Sequence, residues 1–234
     1  MTFFNPAITF RDLGTMAYRE AWDYQEKLFA ELMRQKLAGV ASFPGYLLFC
    51  EHPPVFTLGK SGSAENLLID EPGMAKRGIE FHRINRGGDI TFHGPGQIVG
   101  YPIVDLEQLK LGVKTYIEML EEAVIRLLKI YGITAGRLPG ATGVWLDPGS
   151  PSSARKICAI GVRASRYITM HGFAFNVNTD LSYYQYIHPC GFVDKGVTSM
   201  ARELGEIQDM EKIKSRLRGL LFETLGVEEH QSDG

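Results

Sequence analysis

Cysteine is scarce in this chain: three among 234 residues, with no repeated spacing. An odd number without a framework argues against a disulfide scaffold and for free thiols in a reducing, cytoplasmic compartment. Neither C-x-x-C nor H-E-x-x-H occurs, so no built zinc site is encoded. Charge of one sign is lacking too. The 25 Lys and Arg stand against 27 Asp and Glu, for a formal net charge of −2. That balance supplies no global field for nucleic acid or an anionic membrane. No apolar run approaches the roughly 18 residues a membrane span requires. The N-terminal stretch MTFFNPAITFRDLG has no basic region followed by a long apolar one, so no signal peptide is expected.

Two nucleotide motifs are approached and missed. TLGKSG contains Gly59-Lys60-Ser61, but Pro54 stands where a phosphate loop needs its first glycine. GPGQIVG begins at Gly94 like a dinucleotide fingerprint, yet Val99 replaces the last glycine and a strand pattern follows instead of a helix. No G-x-S-x-G elbow is present. ATP, NAD and metal therefore lose ground, and no cofactor is expected.

Apolar residues are plentiful, at 44%, enough for one extended core. Helical periodicity marks Thr15 to Leu37, Val113 to Tyr131 and Asp209 to Leu225, each followed closely by a glycine. GYLLFCE, IEFHRI, IVGYPIV, TGVWL, KICAIGVR and YITMHGFAFNV read as strands. Asp147 to Arg155 reads as a mobile loop or long hairpin tip, and Leu58 to Arg77 as a long loop that could serve as a lid. No linker divides the chain, which predicts a single α/β domain over residues 1–234.

Four segments carry chemical interest. RGGDITFHGPGQ, Arg86 to Gln97, reads either as a tight β-hairpin or as a loop whose glycines bring the backbone close to a ligand. KICAIGVR opens on Lys156, a residue type that at a strand start is commonly a solvated edge charge. In HGFAFNVNTD, Gly172 and Ala174 remove bulk, either for a ligand chain or for close sheet packing. Cys190 sits in HPCG on a stiff turn, whereas Cys50 and Cys158 fall in apolar strands. A thiolate is the reactive form, and a base or cation beside it lowers the thiol pKa. His188 is the local candidate for that role and Lys156 the distant one.

Together RGGDITFHGPGQIVGYPI, KICAIGVR, HGFAFNVN and the HPCG turn resemble the lipoyl(octanoyl) transferases, with EHPPVFTLGKSG and GVTSM flanking them in family order. The resemblance covers Tyr46 to Leu204. It implies the fold of lipoate and biotin protein ligases: a large mixed β-sheet, a smaller sheet and covering helices. It also implies a catalytic dyad of Cys190 and Lys156. Substrate-contacting segments fall on Arg86, Gly87, Gly88, Asp89, Ile90, Thr91, Phe92 and His93, on Ala159, Ile160 and Gly161, and on Gly172, Phe173 and Ala174. Backbone amides near Ala159 to Gly161 and His171 to Gly172 would serve an oxyanion.

The implied reaction moves an octanoyl group from octanoyl-acyl-carrier protein to a lysine of lipoyl domains, the first step of lipoate biosynthesis. The acceptors would be 2-oxoacid dehydrogenase complexes and the glycine cleavage H protein, met by a monomer. Arg86, Lys60 and Arg163 would guide these acidic partners. Cys158 departs from the family pattern, which commonly has alanine or glycine there, and puts a second thiol near the pocket. The alternatives are an ATP-dependent lipoate–protein ligase, a lipoyl-protein amidotransferase and a noncatalytic lipoyl-domain-binding module.

Overall fold

The computed structural model describes residues 6–150, 152–188 and 196–230. In chain order its first half runs β1 (Ala7–Thr15), α1 (Tyr18–Leu37), β2 (Gly45–Glu51), β3 (Val55–Leu58), α2 (Glu71–Lys76), β4 (Glu80–Arg83), β5 (Ile90–His93) and β6 (Gln97–Ile103). The second half runs α3 (Val113–Ile130), β7 (Gly136–Leu138), β8 (Ala141–Leu146), β9 (Arg155–Ser165), β10 (Ile168–Asn176), β11 (Gly196–Val197), α4 (Met200–Leu204), α5 (Met210–Leu225) and β12 (Glu228–Glu229). The large mixed sheet has the order β12-β1-β2-β6-β10-β9-β8-β7, with β11 on an edge of β9; the small one is β4-β3-β5.

Both faces of the large sheet are covered, which is why β2 and β6 read as unbroken apolar runs. Leu47, Phe49 and Ile98 pack into the layer of α3 and α5, while Leu48, Cys50 and Val99 pack against α1. Helix α3 buries Tyr116, Leu120, Val124, Leu127 and Leu128 completely. Each such burial stabilises by about 2 kcal/mol before entropy is counted. Helix α5 begins where the Asp209 carboxylate accepts the Lys212 N–H, and it ends at Gly226 in the left-handed region. Among the described residues no helix is long and apolar enough to cross a membrane.

Two readings of the sequence change here. Arg86 to Gln97 is not a hairpin. β5 pairs with β3 in the small sheet, whereas β6 pairs with β2 and β10 in the large one. The turn between them therefore carries the chain from one sheet to the other. At its apex Gly96 has φ +76°, and a Cβ there would lie 2.7 Å from the Asn178 carbonyl carbon. Its N–H donates to Glu51 Oε2 at 2.8 Å, and its carbonyl accepts from Thr179 Oγ1. Glu51 in turn faces the buried ammonium of Lys214 on α5, which also pairs with Asp12 and Glu211.

The stretch from Leu58 to Arg77, read as a long loop, contains α2. That helix is too short for periodicity to show, but it has a real N-terminus: Asp70 Oδ1 accepts the Gly73 N–H, and a proline occupies the first turn. Asp147 to Arg155 does join β8 to its antiparallel partner β9.

Candidate active site

A cavity of about 580 Å³ opens between β9 and β10 of the large sheet and the segment that feeds β5 of the small one. Gly87 N donates to the Val162 carbonyl, and Lys60 N and Ser61 N donate to the Arg86 and Gly88 carbonyls. Residues 86–89 are thus clamped between β9 and the turn after β3. Val99, Tyr101, Val162 and Phe173 line apolar walls, and Lys156, Trp145, Gly196 and Val197 line one end. From Lys156 to Val162 the β9 floor spans roughly 20 Å at strand rise.

Lys156 reaches this cavity through an irregularity of β9. Val144 pairs with Cys158, but Trp145 pairs with Lys156, so one step on β8 meets two on β9. Ile157 and Cys158, adjacent in sequence, are therefore both fully buried in the core. Strict alternation would have placed Lys156 on the Cys158 face; a one-residue slip puts it on the other. Past the Val144–Cys158 pair β8 no longer covers β9, and Ala159 to Gly161 border the cavity. β10 leaves the opposite edge of β9 after Phe175–Cys158, and β11 takes it over by pairing Val197 with Lys156.

A buried chain of hydrogen bonds crosses from the small sheet to this end. Arg86 Nη2 donates to the Thr57 carbonyl at 2.8 Å and to Thr57 Oγ1 at 3.0 Å. Gln97 Nε2 donates to Phe92 O and Asn176 Oδ1, so Gln97 Oε1 is an acceptor and His93 Nδ1–H donates to it at 2.9 Å. His93 Nε2 is then an acceptor for the Thr57 hydroxyl at 3.2 Å. Asn176 Nδ2 donates to Thr198 O, and Thr198 N donates to Lys156 O. Burial drives the His93 pKa well below its ordinary value, helped by His52 and the Arg86 guanidinium. Burial, with Arg86 and Arg163 nearby, lowers His171 to about 3. Both cavity histidines are thus neutral and poor proton acceptors near pH 7.

The expected substrate segments converge on the cavity, with one exception. Arg86 through Thr91, His93, Ala159 through Gly161 and Gly172 through Ala174 all line it. Phe92 points the other way, into the core of the small sheet, where it stacks on Tyr183 at 4.6 Å. Gly161 and Gly172 serve close packing: a Cβ would lie 2.7 Å from Gly87 O and 2.1 Å from Gly100 O respectively. His171 N–H is taken by Gln25 Oε1, so it is not an oxyanion donor.

Arg86 is only 8% exposed, and its guanidinium braces Thr57 instead of facing a partner. Arg163 pairs with Glu26 over the Phe29 ring. Of the three basic residues expected to guide partners, Lys60 is the exposed one. The Cys158 sulfur is buried in the core and absent from the cavity wall, and desolvation raises its pKa. Cys190 lies outside the described residues; the chain is described up to His188, whose N–H bonds Asn66 O, and again from Gly196, whose N–H bonds Ala154 O. Unforeseen from sequence were Tyr18, Trp145, Asn176 and Tyr184 as lining residues. Tyr18 falls in the periodic stretch from Thr15 to Leu37, where an apolar stripe signals a packed helix face and nothing more. Trp145 carried a usable signal, an aromatic on the strand due to pair with the lysine strand.

Among known families, the model of the lipoyl protein ligase A/B catalytic domain matches residues 17–221. The chain belongs to this family. The octanoyltransferase of Parabacteroides distasonis is 58% identical over 214 residues, which are 92% of this chain and 96% of that protein. The octanoyltransferase of Bacteroides fragilis is 55% identical over 206 residues, 88% of this chain and 92% of that one. A solved lipoate protein ligase of Thermoplasma acidophilum aligns with TM-score 0.68 over 98% of this chain and 87% of that chain, at 17% identity, and so shares the lipoyl protein ligase fold. The two-sheet framework of this lipoyl protein ligase A/B family member is thus that of its structural relative.

Proposed function

We propose that the protein is an octanoyltransferase that moves an octanoyl group from octanoyl-acyl-carrier protein to a lysine of lipoyl domains, through a thioester on Cys190. The acceptors are the lipoyl domains of 2-oxoacid dehydrogenase complexes and the glycine cleavage H protein. Lys156 Nζ takes the Cys190 proton, and the thiolate attacks the donor thioester. A new C–S bond forms to Cys190, the donor C–S bond breaks, and the donor thiol leaves with the proton held by Lys156. The acceptor lysine then attacks the acyl-enzyme. An amide C–N bond forms, the Cys190 sulfur leaves, and the surplus proton of the amine returns through Lys156 to that sulfur. The Ile160 N–H, on the edge of β9 that β8 has left while Ala159 and Gly161 pair with β10, is the oxyanion donor, and the apolar walls hold the acyl chain.

The observation that carries this reading is the placement of Lys156. It stands at one end of an apolar cavity, paired with Val197 on the short strand that follows the Cys190 segment, in a chain more than half identical to octanoyltransferases. The donor is already activated, so no nucleotide is consumed. Intact-mass spectrometry after mixing with octanoyl-acyl-carrier protein, without ATP, tests this. A hydroxylamine-sensitive octanoyl adduct on Cys190, formed slowly by Lys156→Ala, is expected. An adduct on Cys158, or none until ATP is added, would overturn it.

A further inference from the structure

We infer that Trp145 is a positioning residue for Lys156, holding its amine at the cavity end and favouring the ammonium that forms when the amine takes the thiol proton. The inference rests on the role just proposed for Lys156. The amine lies 4.7 Å from the centroid of the indole ring. An indole face attracts an ammonium through its quadrupole and has no such attraction for a neutral amine. The ring therefore favours the ammonium–thiolate pair over the neutral amine–thiol pair, and the thiolate is the species that attacks.

The ring is held for this task from three sides. Its Nε1–H donates to the Ala141 carbonyl at 2.9 Å, and the side chain is 1% exposed. The register slip at Ile157 pairs Trp145 directly with Lys156, which places both side chains on one face. Gly143, two residues earlier, has φ +119°, and a Cβ there would lie 2.4 Å from Cys158 O and 3.6 Å from Lys156 Cδ. Its N–H donates to Glu121 Oε1 at 2.9 Å, and Arg137 holds the other oxygen of that buried carboxylate. Helix α3 thus pins the start of β8 and, through it, the indole. The indole has no proton to exchange in the reaction, so its influence passes through the amine it faces.

The test is a double-mutant cycle on the full chain, read as the rate of Cys190 alkylation by chloroacetamide and, separately, as the rate of octanoyl adduct formation. Trp145→Leu should slow alkylation by roughly two- to thirtyfold, the range of a cation–π contact. Trp145→Phe, which keeps a ring and most of the volume, should fall between and remains informative if the leucine variant does not fold. In a Lys156→Ala background either substitution should change the rate less than about twofold, because the cation that the ring acts on is gone. Equal slowing in both backgrounds, or no slowing with lysine present, overturns the inference while leaving the lysine's role intact. Normal rates in Lys156→Ala alone overturn the proton-acceptor role itself.

Discussion

Replacing Thr57 by valine removes one hydroxyl from the middle of the buried hydrogen-bond chain and keeps the shape nearly constant. That oxygen accepts from Arg86 Nη2 at 3.0 Å and donates to His93 Nε2 at 3.2 Å. Arg86 keeps its bonds to the Thr57 and Gly87 carbonyls, so the guanidinium is weakened, not stranded. His93, 6% exposed, loses the hydroxyl from which its Nε2 accepts. A stranded buried acceptor costs about 1–3 kcal/mol, and the lost bond to a charged group adds about 1, for a total of about 2–4 kcal/mol. For a chain of this size each kcal/mol shifts Tm by about 2–4 °C, so the melt should fall by roughly 5–15 °C. Differential scanning calorimetry reads this directly. Thr57→Ser, which keeps the hydroxyl and loses a methyl, should recover most of the loss. A valine variant melting within about 1 °C of the parent, or a serine variant as low as valine, would refute the reasoning.

Two further outcomes are expected. His52 is lowered to about 4 by burial, with Nδ1–H given to Met16 O and Nε2 accepting from the Tyr101 hydroxyl. The unfolded chain therefore binds a proton near pH 6.5 that the native protein refuses until about pH 4. Stability should fall as pH drops through that window, by at most about 1.4 kcal/mol per unit for this group. His52→Gln, though less stable overall, should show a shallower urea-midpoint slope between those values; parallel slopes would count against it. For the proposed acyl slot, shortening the donor from octanoyl to hexanoyl removes two buried methylenes, about 1.6 kcal/mol, and should lower kcat/KM about fifteenfold. Equal rates for the two thioesters would show that the walls do not read chain length.

The long elements were legible because their patterns are long. The stripes on α1, α3 and α5 and the double-sided apolar runs of β2 and β6 announce buried faces without any tertiary knowledge. β3 was hidden because a four-residue strand after Pro53-Pro54 offers too little alternation to separate it from a loop. The passage from β5 to β6 defeated local reading for another reason: a glycine turn flanked by strands looks the same whether it folds back or crosses to a second sheet. What decides is the partner at Gly96, a carboxylate 45 positions away. For the site, the segments that line the cavity could be found by resemblance, but not the direction of each side chain. Phe92 sits in the right segment and faces away. The face of Lys156 depends on a slip that left one trace, the neighbouring apolar pair Ile157 and Cys158 where a regular strand would alternate.

Lys214 belongs to a helix that lends no residue to the cavity lining, yet its ammonium holds Glu51, and Glu51 holds the bend from which His93 and Gln97 hang. The C-terminal helix is therefore a buttress as well as a lid on the core. Grafting a foreign helix there, however well its greasy stripe fits, would need a cation at the same height, or the bend would be free to drift and the chamber would lose its shape from behind.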